Sequence, residues 1–446
     1  MWTALPLAVT ALSAFGLWWA MRGFRSWGTR YLIGIVWLRY ALAAIPDVTY
    51  TPVAAGLSIN ALVSIVVVGG GFFVINRSLL LLKYVAPVYA FMAVIAVSAA
   101  VNGPDAGVIN TLTKWGYFLV VALLTYDAVK TYGADRLFAR LSVAFIAPLT
   151  LQYLSFLLRY AKATESDGSV SYIGSYSHEA VLSTIVLTFI VLLSLGGAGR
   201  KLLARVFFIG LGVFGLLLAN YRTSILAAGP ALSVFFFRGS LMRIVPEQRP
   251  LVAVAVLFAF SGLLAFVGVS LGERFADIGA VFGDGFDLFK APYYFTSREQ
   301  DLLSARVYLW SRYIHGYLEG DLLNYLFGYG PNSWEGVFPK YAHNTFVSCL
   351  YEFGIVGVIA LAAIFSQSLF GLIWAPDRAT AFSLLAANFG FLLLCMATMP
   401  LWLMEGIILF GFITGYAWRE MAAGRARFAP VKTDGVNIGS AAPAQL

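Results

Sequence analysis

The chain has 446 residues, 60% of them hydrophobic and 12% charged, with a mean hydropathy of +0.81. That composition excludes a soluble globular protein, because too few polar residues remain to cover a surface facing water. The formal charge of +8 does not indicate nucleic-acid binding, since Lys and Arg sit in short loops between apolar stretches rather than in one basic patch.

A bilayer core takes roughly 20 mostly apolar residues per helix. Thirteen such spans are predicted, near 2–21, 29–46, 57–75, 79–101, 108–126, 139–158, 179–196, 203–219, 223–238, 251–271, 344–374, 379–396 and 401–418. The first reads as a spanning helix and not a cleavable signal, because no positive residue precedes it and Arg22, Arg25 and Arg30 follow it. The connecting loops alternate in charge. One set carries Arg22, Arg25 and Arg30; Arg77; Lys130, Arg136 and Arg140; Arg200, Lys201 and Arg205; Arg238, Arg243 and Arg249; Arg378; and Arg419, Arg425 and Arg427. The positive-inside rule places these in the cytoplasm. The other set, 47–56, 102–107, 159–178, 220–222, 272–343 and 397–400, is poor in positive charge and is predicted to face outward, with the carboxyl terminus cytoplasmic.

Four segments follow: 1–271 with ten transmembrane helices, an outer loop subdomain at 272–343, three further helices in 344–418, and a disordered cytoplasmic tail at 419–446. The loop subdomain holds nine of the 22 acidic residues. Within it, Ser297 and Gln300 resemble a capping box, and Leu303, Val307, Trp310, Ile314 and Tyr317 repeat at helical spacing. An amphipathic helix over 298–318, lying on the outer membrane surface, is predicted. Gly328-Tyr329-Gly330-Pro331-Asn332 then breaks the chain. Cys349 and Cys395 fall inside apolar spans, so no disulfide is expected.

The residues with chemical potential gather on the predicted outer face. His343, one of three histidines, stands at the mouth of a span and can exchange a proton near neutral pH. The competing reading is an interfacial histidine bonded to a carbonyl or headgroup. Arg222 lies in a turn of a few residues between two spans; it reads either as a snorkelling side chain or as a phosphate-binding fork of donors. Arg306 lies on the predicted surface helix beside its apolar stripe. Arg312, six residues on, need not share its target and reads first as part of a solvated face. His178, His315 and His343 show no metal-ligand spacing, and no G-x-S-x-G is present. Lys114, Glu352 and Glu405 lie inside spans and keep open a proton relay in a transporter.

Taken together, Gly328-Tyr329-Gly330, Tyr341-Ala342-His343-Asn344-Thr345-Phe346 and Leu350-Tyr351-Glu352-Phe353-Gly354-Ile355-Val356-Gly357 resemble the hallmark of the O-antigen ligase and polymerase superfamily. Ser304-Ala305-Arg306 with Trp310 resembles that family's serine-arginine-tryptophan helix, and Tyr221-Arg222-Thr223-Ser224 its arginine turn, with Tyr221 where a serine is more usual. The resemblance implies an all-α, glycosyltransferase C-like bundle of 12–13 spans in the bacterial inner membrane, with its active site facing the periplasm. It implies metal-independent, inverting transfer of a glycan from an undecaprenyl diphosphate-linked oligosaccharide to a hydroxyl. His343 would be the general base, and Arg222 and Arg306 would bind the diphosphate. Tyr341, Asn344 and Arg312 are possible supporting residues. No cofactor or nucleic acid is implied. The partners are membrane lipids, the lipid-linked donor and an acceptor, which is lipid A core for a ligase and another lipid-linked glycan for a polymerase. A flippase remains the reading from a different class; it predicts paired halves, and no internal repeat is evident.

Overall fold

The computed structural model describes residues 4–54, 56–103, 106–162, 170–196, 202–241, 245–251, 254, 290–300 and 305–428. Apolar stretches in lipid must satisfy their own backbone, so they become helices. In order these are α1 (Ala4–Arg22), α2 (Trp27–Ala43), α3 (Ile59–Val74), α4 (Ala86–Asn102), α5 (Ala106–Tyr132), α6 (Ala134–Leu157, bent through a 3₁₀ turn), α7 (Glu179–Leu195), α8 (Leu202–Ala219) and α9 (Arg222–Leu241). After the outer segment come α10 (Arg306–Leu318), α11 (Leu322–Phe327), α12 (Thr345–Phe370), α13 (Arg378–Ala397) and α14 (Met404–Phe428). The only strands among the described residues are a short antiparallel pair, Pro52–Ala54 with Leu57–Ser58, in register Pro52 to Ser58 and Ala54 to Leu57.

Seven helices among the described residues are long and apolar enough to cross a membrane, and α3 and α7 are shorter apolar helices. The chain is a multi-pass membrane protein. Every residue of α7 is buried, so it is the central helix. Around it, large apolar side chains such as Leu12, Phe73, Leu203, Ile359 and Phe382 are exposed, as lipid contact requires. Helices approach closely where glycine allows: a Cβ on Gly411 or Gly415 of α14 would collide with Val121 or Ala122 of α5.

The loops sort into two ends, grouped as their charges alternate. At one end Tyr132 Oη accepts from the amides of Arg25 (3.1 Å) and Ser26 (2.8 Å), Arg205 pairs with Asp135 at 2.9 Å, and Arg238 with Asp377 at 3.4 Å. Arg425 lies over Tyr84 and Trp374 at the same end. At the other, Ser175 Oγ donates to Ala44 O (2.6 Å), the Tyr172 amide to Leu218 O (2.9 Å), and Thr345 Oγ1 to Thr398 O (3.1 Å).

Four expectations change. The capping box is formed by Thr296 and Glu299, not Ser297 and Gln300: the Thr296 amide donates to Glu299 Oε2 (2.7 Å) and the Glu299 amide to Thr296 Oγ1 (3.4 Å). The amphipathic helix begins at Arg306, because Ala305 takes a left-handed φ of 64°. Its apolar face packs through Tyr313 and Tyr317 on Phe338, Ala342 and Tyr351 of the protein itself. The last helix runs to Phe428, beyond the expected 418, because Gly424 and Arg425 pack on Trp374; residues 429–446 lie outside the described residues. So do Leu303, Ser304 and nearly all of the expected span 251–271 and of 272–289.

The fourth concerns the span predicted at 344–374. Helix α12 is broken at Gly354, whose φ of 66° and ψ of −169° lie in a region open essentially to glycine alone. The break frees the carbonyls of Tyr351 and Glu352 from their helical partners. The amides of Tyr329 (2.9 Å) and Gly330 (3.0 Å) take them instead. Gly328 has the same conformation, φ 70° and ψ −166°, and its missing Cβ lets the loop lie against the Glu352 backbone. The two glycine motifs are therefore halves of one backbone crossing. Exposed apolar residues on α12 begin only at Ile355, below the break. Gly354→Ala is expected to cost at least ~1–3 kcal/mol in dihedral strain, with a further penalty from the Leu326 backbone that its Cβ meets. A lower melting temperature in detergent, with no such drop for Gly69→Ala in open space on α3, is the check.

Candidate functional site

His343 closes the segment 331–343 and has a left-handed φ of 52°. Asn344 follows as the cap of α12, its Oδ1 accepting from the amides of Phe346 (2.9 Å) and Val347 (3.2 Å) while its Nδ2 donates to Met396 O (3.2 Å). Asn344, expected as a possible supporting residue, has its side chain committed to the helix cap and to Met396 O. Tyr341 lies against the imidazole, ring centroids 4.0 Å apart at 36°. The ring is half-buried and its Nδ1 is sealed from solvent with no hydrogen-bond partner. Burial first, then the positive charge of Arg306, Lys340 and His178, pulls the His343 pKa from 6.5 down to about 4.

Arg306 is the first residue of α10. Its predecessor Ala305 offers no side-chain cap, and a cation stands where an acidic residue would suit the helix dipole. Trp310, one turn on, donates from Nε1 to Ala342 O at 2.8 Å, and Tyr313 Oη to Lys340 O at 3.0 Å. These two bonds tie α10 to the strip carrying His343, which explains why tryptophan accompanies the arginine in the motif. Trp310→Phe keeps the packing and removes the donor. It is expected to cost about 1–3 kcal/mol through the orphaned carbonyl and to raise the His343 pKa as Arg306 drifts away, readable by NMR titration of the imidazole.

Arg222 opens α9 directly after Tyr221. Tyr221 lines a cavity of about 370 Å³ together with His178, Trp334, Tyr341 and Trp402. Among the described residues neither Arg222 nor Arg306 makes an ion pair or hydrogen bond, whereas Arg39, Arg205 and Arg238 are paired with carboxylates. Arg312 is different: its guanidinium lies over Phe338 (5.7 Å) and Tyr308 (6.0 Å), a packing role.

Backbone strain marks the same region. Of the five described non-glycine residues with positive φ, Asn220, Ala305, Asn332 and His343 flank or form these positions. Such conformations persist only where surrounding structure enforces them, and they cluster at functional sites.

Three site features were not among the sequence candidates. His178 caps α7, its Nδ1 accepting from the Ala180 amide (3.1 Å) and its Nε2 3.2 Å from Glu179 Oε1. Its place at the mouth of a span is the signal that singled out His343. Lys340 and Glu335 carried no signal beyond their proximity to the motif. Of the three groups open as a relay from sequence, Lys114 and Glu405 line one chamber, where Glu405 holds Arg39 at 2.9 Å, and Glu352 stands behind its wall, accepting from the Asn332 amide (2.8 Å) and Trp402 Nε1 (2.9 Å).

The fold defines a multi-pass, all-α membrane protein in which, among the described residues, the His343 imidazole has no hydrogen-bond partner and the Arg222 and Arg306 guanidiniums have no carboxylate. Residues 206–362, about a third of the chain, match the family described as O-Antigen ligase. The match spans Arg222, Arg306, His343 and the Gly354 break, and bears out the resemblance carried by the motifs at 304–357. It supports glycan transfer of the O-antigen ligase and polymerase type by a membrane enzyme. No curated protein matches the chain.

Proposed function

We propose that the protein transfers a glycan from undecaprenyl diphosphate to an acceptor hydroxyl at the periplasmic face of the bacterial inner membrane, ligating O-antigen to lipid A core. The observation that carries this reading is that, among the described residues, the His343 imidazole has no hydrogen-bond partner and lies within the field of Arg306, while Arg306 and Arg222 have no carboxylate, all within the stretch that matches O-antigen ligase. The positive-inside rule supports the sidedness, because the Arg-rich loops gather at the opposite end.

With Nδ1 sealed, Nε2 of His343 takes the proton of the acceptor hydroxyl. The oxygen attacks the anomeric carbon, the bond from that carbon to the diphosphate oxygen breaks, and its electron pair leaves with the diphosphate. Arg306, Arg222 and the uncapped first turn of α10 stabilise the departing charge, in the place a divalent cation would otherwise hold. Direct attack inverts the anomeric carbon, since no carboxylate is assigned to a covalent intermediate.

The test is reconstitution in liposomes with purified lipid-linked donor and acceptor. Product formation by the wild type and none by His343→Ala supports the reading; equal product from the variant sinks the assignment of the base, and translocation of the donor without transfer would favour a flippase. In cells, deletion that strands long chains on the carrier supports ligation, and loss of every chain beyond one repeat unit supports polymerisation.

A further inference from the structure

The space beyond Tyr341, the ring packed on His343, exceeds what a diphosphate needs. A chamber of about 910 Å³ shares Asn110, Lys114, Asn332, Glu335 and Trp402 with the smaller cavity lined by Tyr341 and His178, so the two adjoin. Its charge differs from that of the Arg306 and Lys340 rim. Arg39 in its wall is already paired with Glu405 at 2.9 Å. The Lys114 ammonium makes no hydrogen bond among the described residues, yet it lies within electrostatic reach of Glu352, Glu405 and Glu335. In the lining itself Glu405 offsets Arg39 and Glu335 offsets Lys114, so the chamber lacks the net positive field that a second phosphate would require. What remains is amide, ammonium and carboxylate groups beside the rings of Trp402 and Tyr50. That combination suits a ligand with many hydroxyls and apolar ring faces.

The walls also show where such a ligand enters. Helices α3 and α5 are in close contact in their inner parts, where Gly71 meets Val120 and Gly116 meets Val68. Towards the site end, Ile65 of α3 and Ile109 of α5 are exposed (37% and 52%), and both line the chamber. The chamber is therefore apolar where α3 and α5 border it and polar inside.

We infer that the chamber holds an uncharged terminal saccharide of a lipid-anchored acceptor, which enters between α3 and α5 while its lipid tail stays in the bilayer. The inference rests on His343 acting as the base, because the chamber then presents the acceptor hydroxyl to it. Two acceptors separate its parts in the liposome assay: lipid A carrying its core sugars, and the water-soluble core oligosaccharide freed from lipid A. Lys114→Met and Asn110→Leu are expected to raise KM for both acceptors by about tenfold or more, leaving donor KM within about twofold. Ile65→Trp and Ile109→Trp are expected to lower kcat/KM for the lipid-anchored acceptor about tenfold more than for the soluble one. Inhibition by inorganic pyrophosphate, read in every variant, reports the cationic rim and an intact fold. Unchanged acceptor KM in the first pair, with the rim intact, overturns the saccharide site; equal losses on both acceptors in the second pair overturn lateral entry. A wild type that transfers to neither acceptor sinks the proposed function itself.

Discussion

His343→Ala is expected to lower kcat by about 10²–10⁴-fold, the usual contribution of a positioned general base, while the donor KM moves little. The side chain is half-buried against Tyr341, and Asn344 and Trp310 hold its backbone from either side, so alanine leaves the surrounding bonds in place. The pH profile discriminates a base from a structural histidine. In the empty site burial and the charges of Arg306, Lys340 and His178 hold the pKa at about 4, so the imidazole is neutral, and competent as a base, above that pH. Activity must fall as pH drops through the pKa. The acid limb of kcat/KM, which reports the free enzyme, is therefore expected near pH 4. A bound diphosphate offsets Arg306 and Lys340 and makes the imidazolium easier to form, so the limb of kcat should lie at higher pH. This arrangement gives basicity when the donor arrives. Arg306→Gln removes the second-largest cause of the depression and is expected to raise the free-enzyme limb as well. A limb that stays put in that variant would separate Arg306 from His343.

The spans were legible because lipid imposes a length and polarity on each helix that loop charges then check. Their ends were not, because caps and breaks decide them. Nothing in the composition of 298–318 distinguishes Ala305 from a helical alanine, yet its left-handed backbone is what starts α10 at Arg306. The Gly354 break was visible as a motif yet lacked a meaning, since an isolated glycine in an apolar run is ambiguous until Gly328 is seen crossing it. For the site, Arg222, Arg306 and His343 carried local signals. The chamber could not be read in advance, because its walls come from loops and helix ends far apart in sequence, from Arg39 to Glu405. Only the residues of a single motif advertise themselves to a linear reading.

Replacing Arg306 is expected to be the second most damaging change at the site. In the proposed mechanism Arg306→Ala removes a donor to the departing diphosphate, a loss expected to be about 10²–10³ in kcat by comparison with an oxyanion-hole donor. The more informative variant is Arg306→Lys, which preserves charge but not the planar fork that grips two oxygens. If the guanidinium binds the diphosphate, lysine should recover only a small part of the lost rate; if Arg306 only tunes the field at His343, lysine should restore most of it together with the wild-type pH limb. Arg222→Lys is read the same way, with one difference. Arg222 does not figure among the charges that shift His343, so its loss should leave the free-enzyme pH limb unmoved while lowering the rate. Full activity of Arg222→Lys would assign that side chain to the lipid headgroups. If the two guanidiniums serve one leaving group, as proposed, the double variant should lose less than the product of the single effects. A fully multiplicative loss would instead place them on separate ligands and divide the site in two.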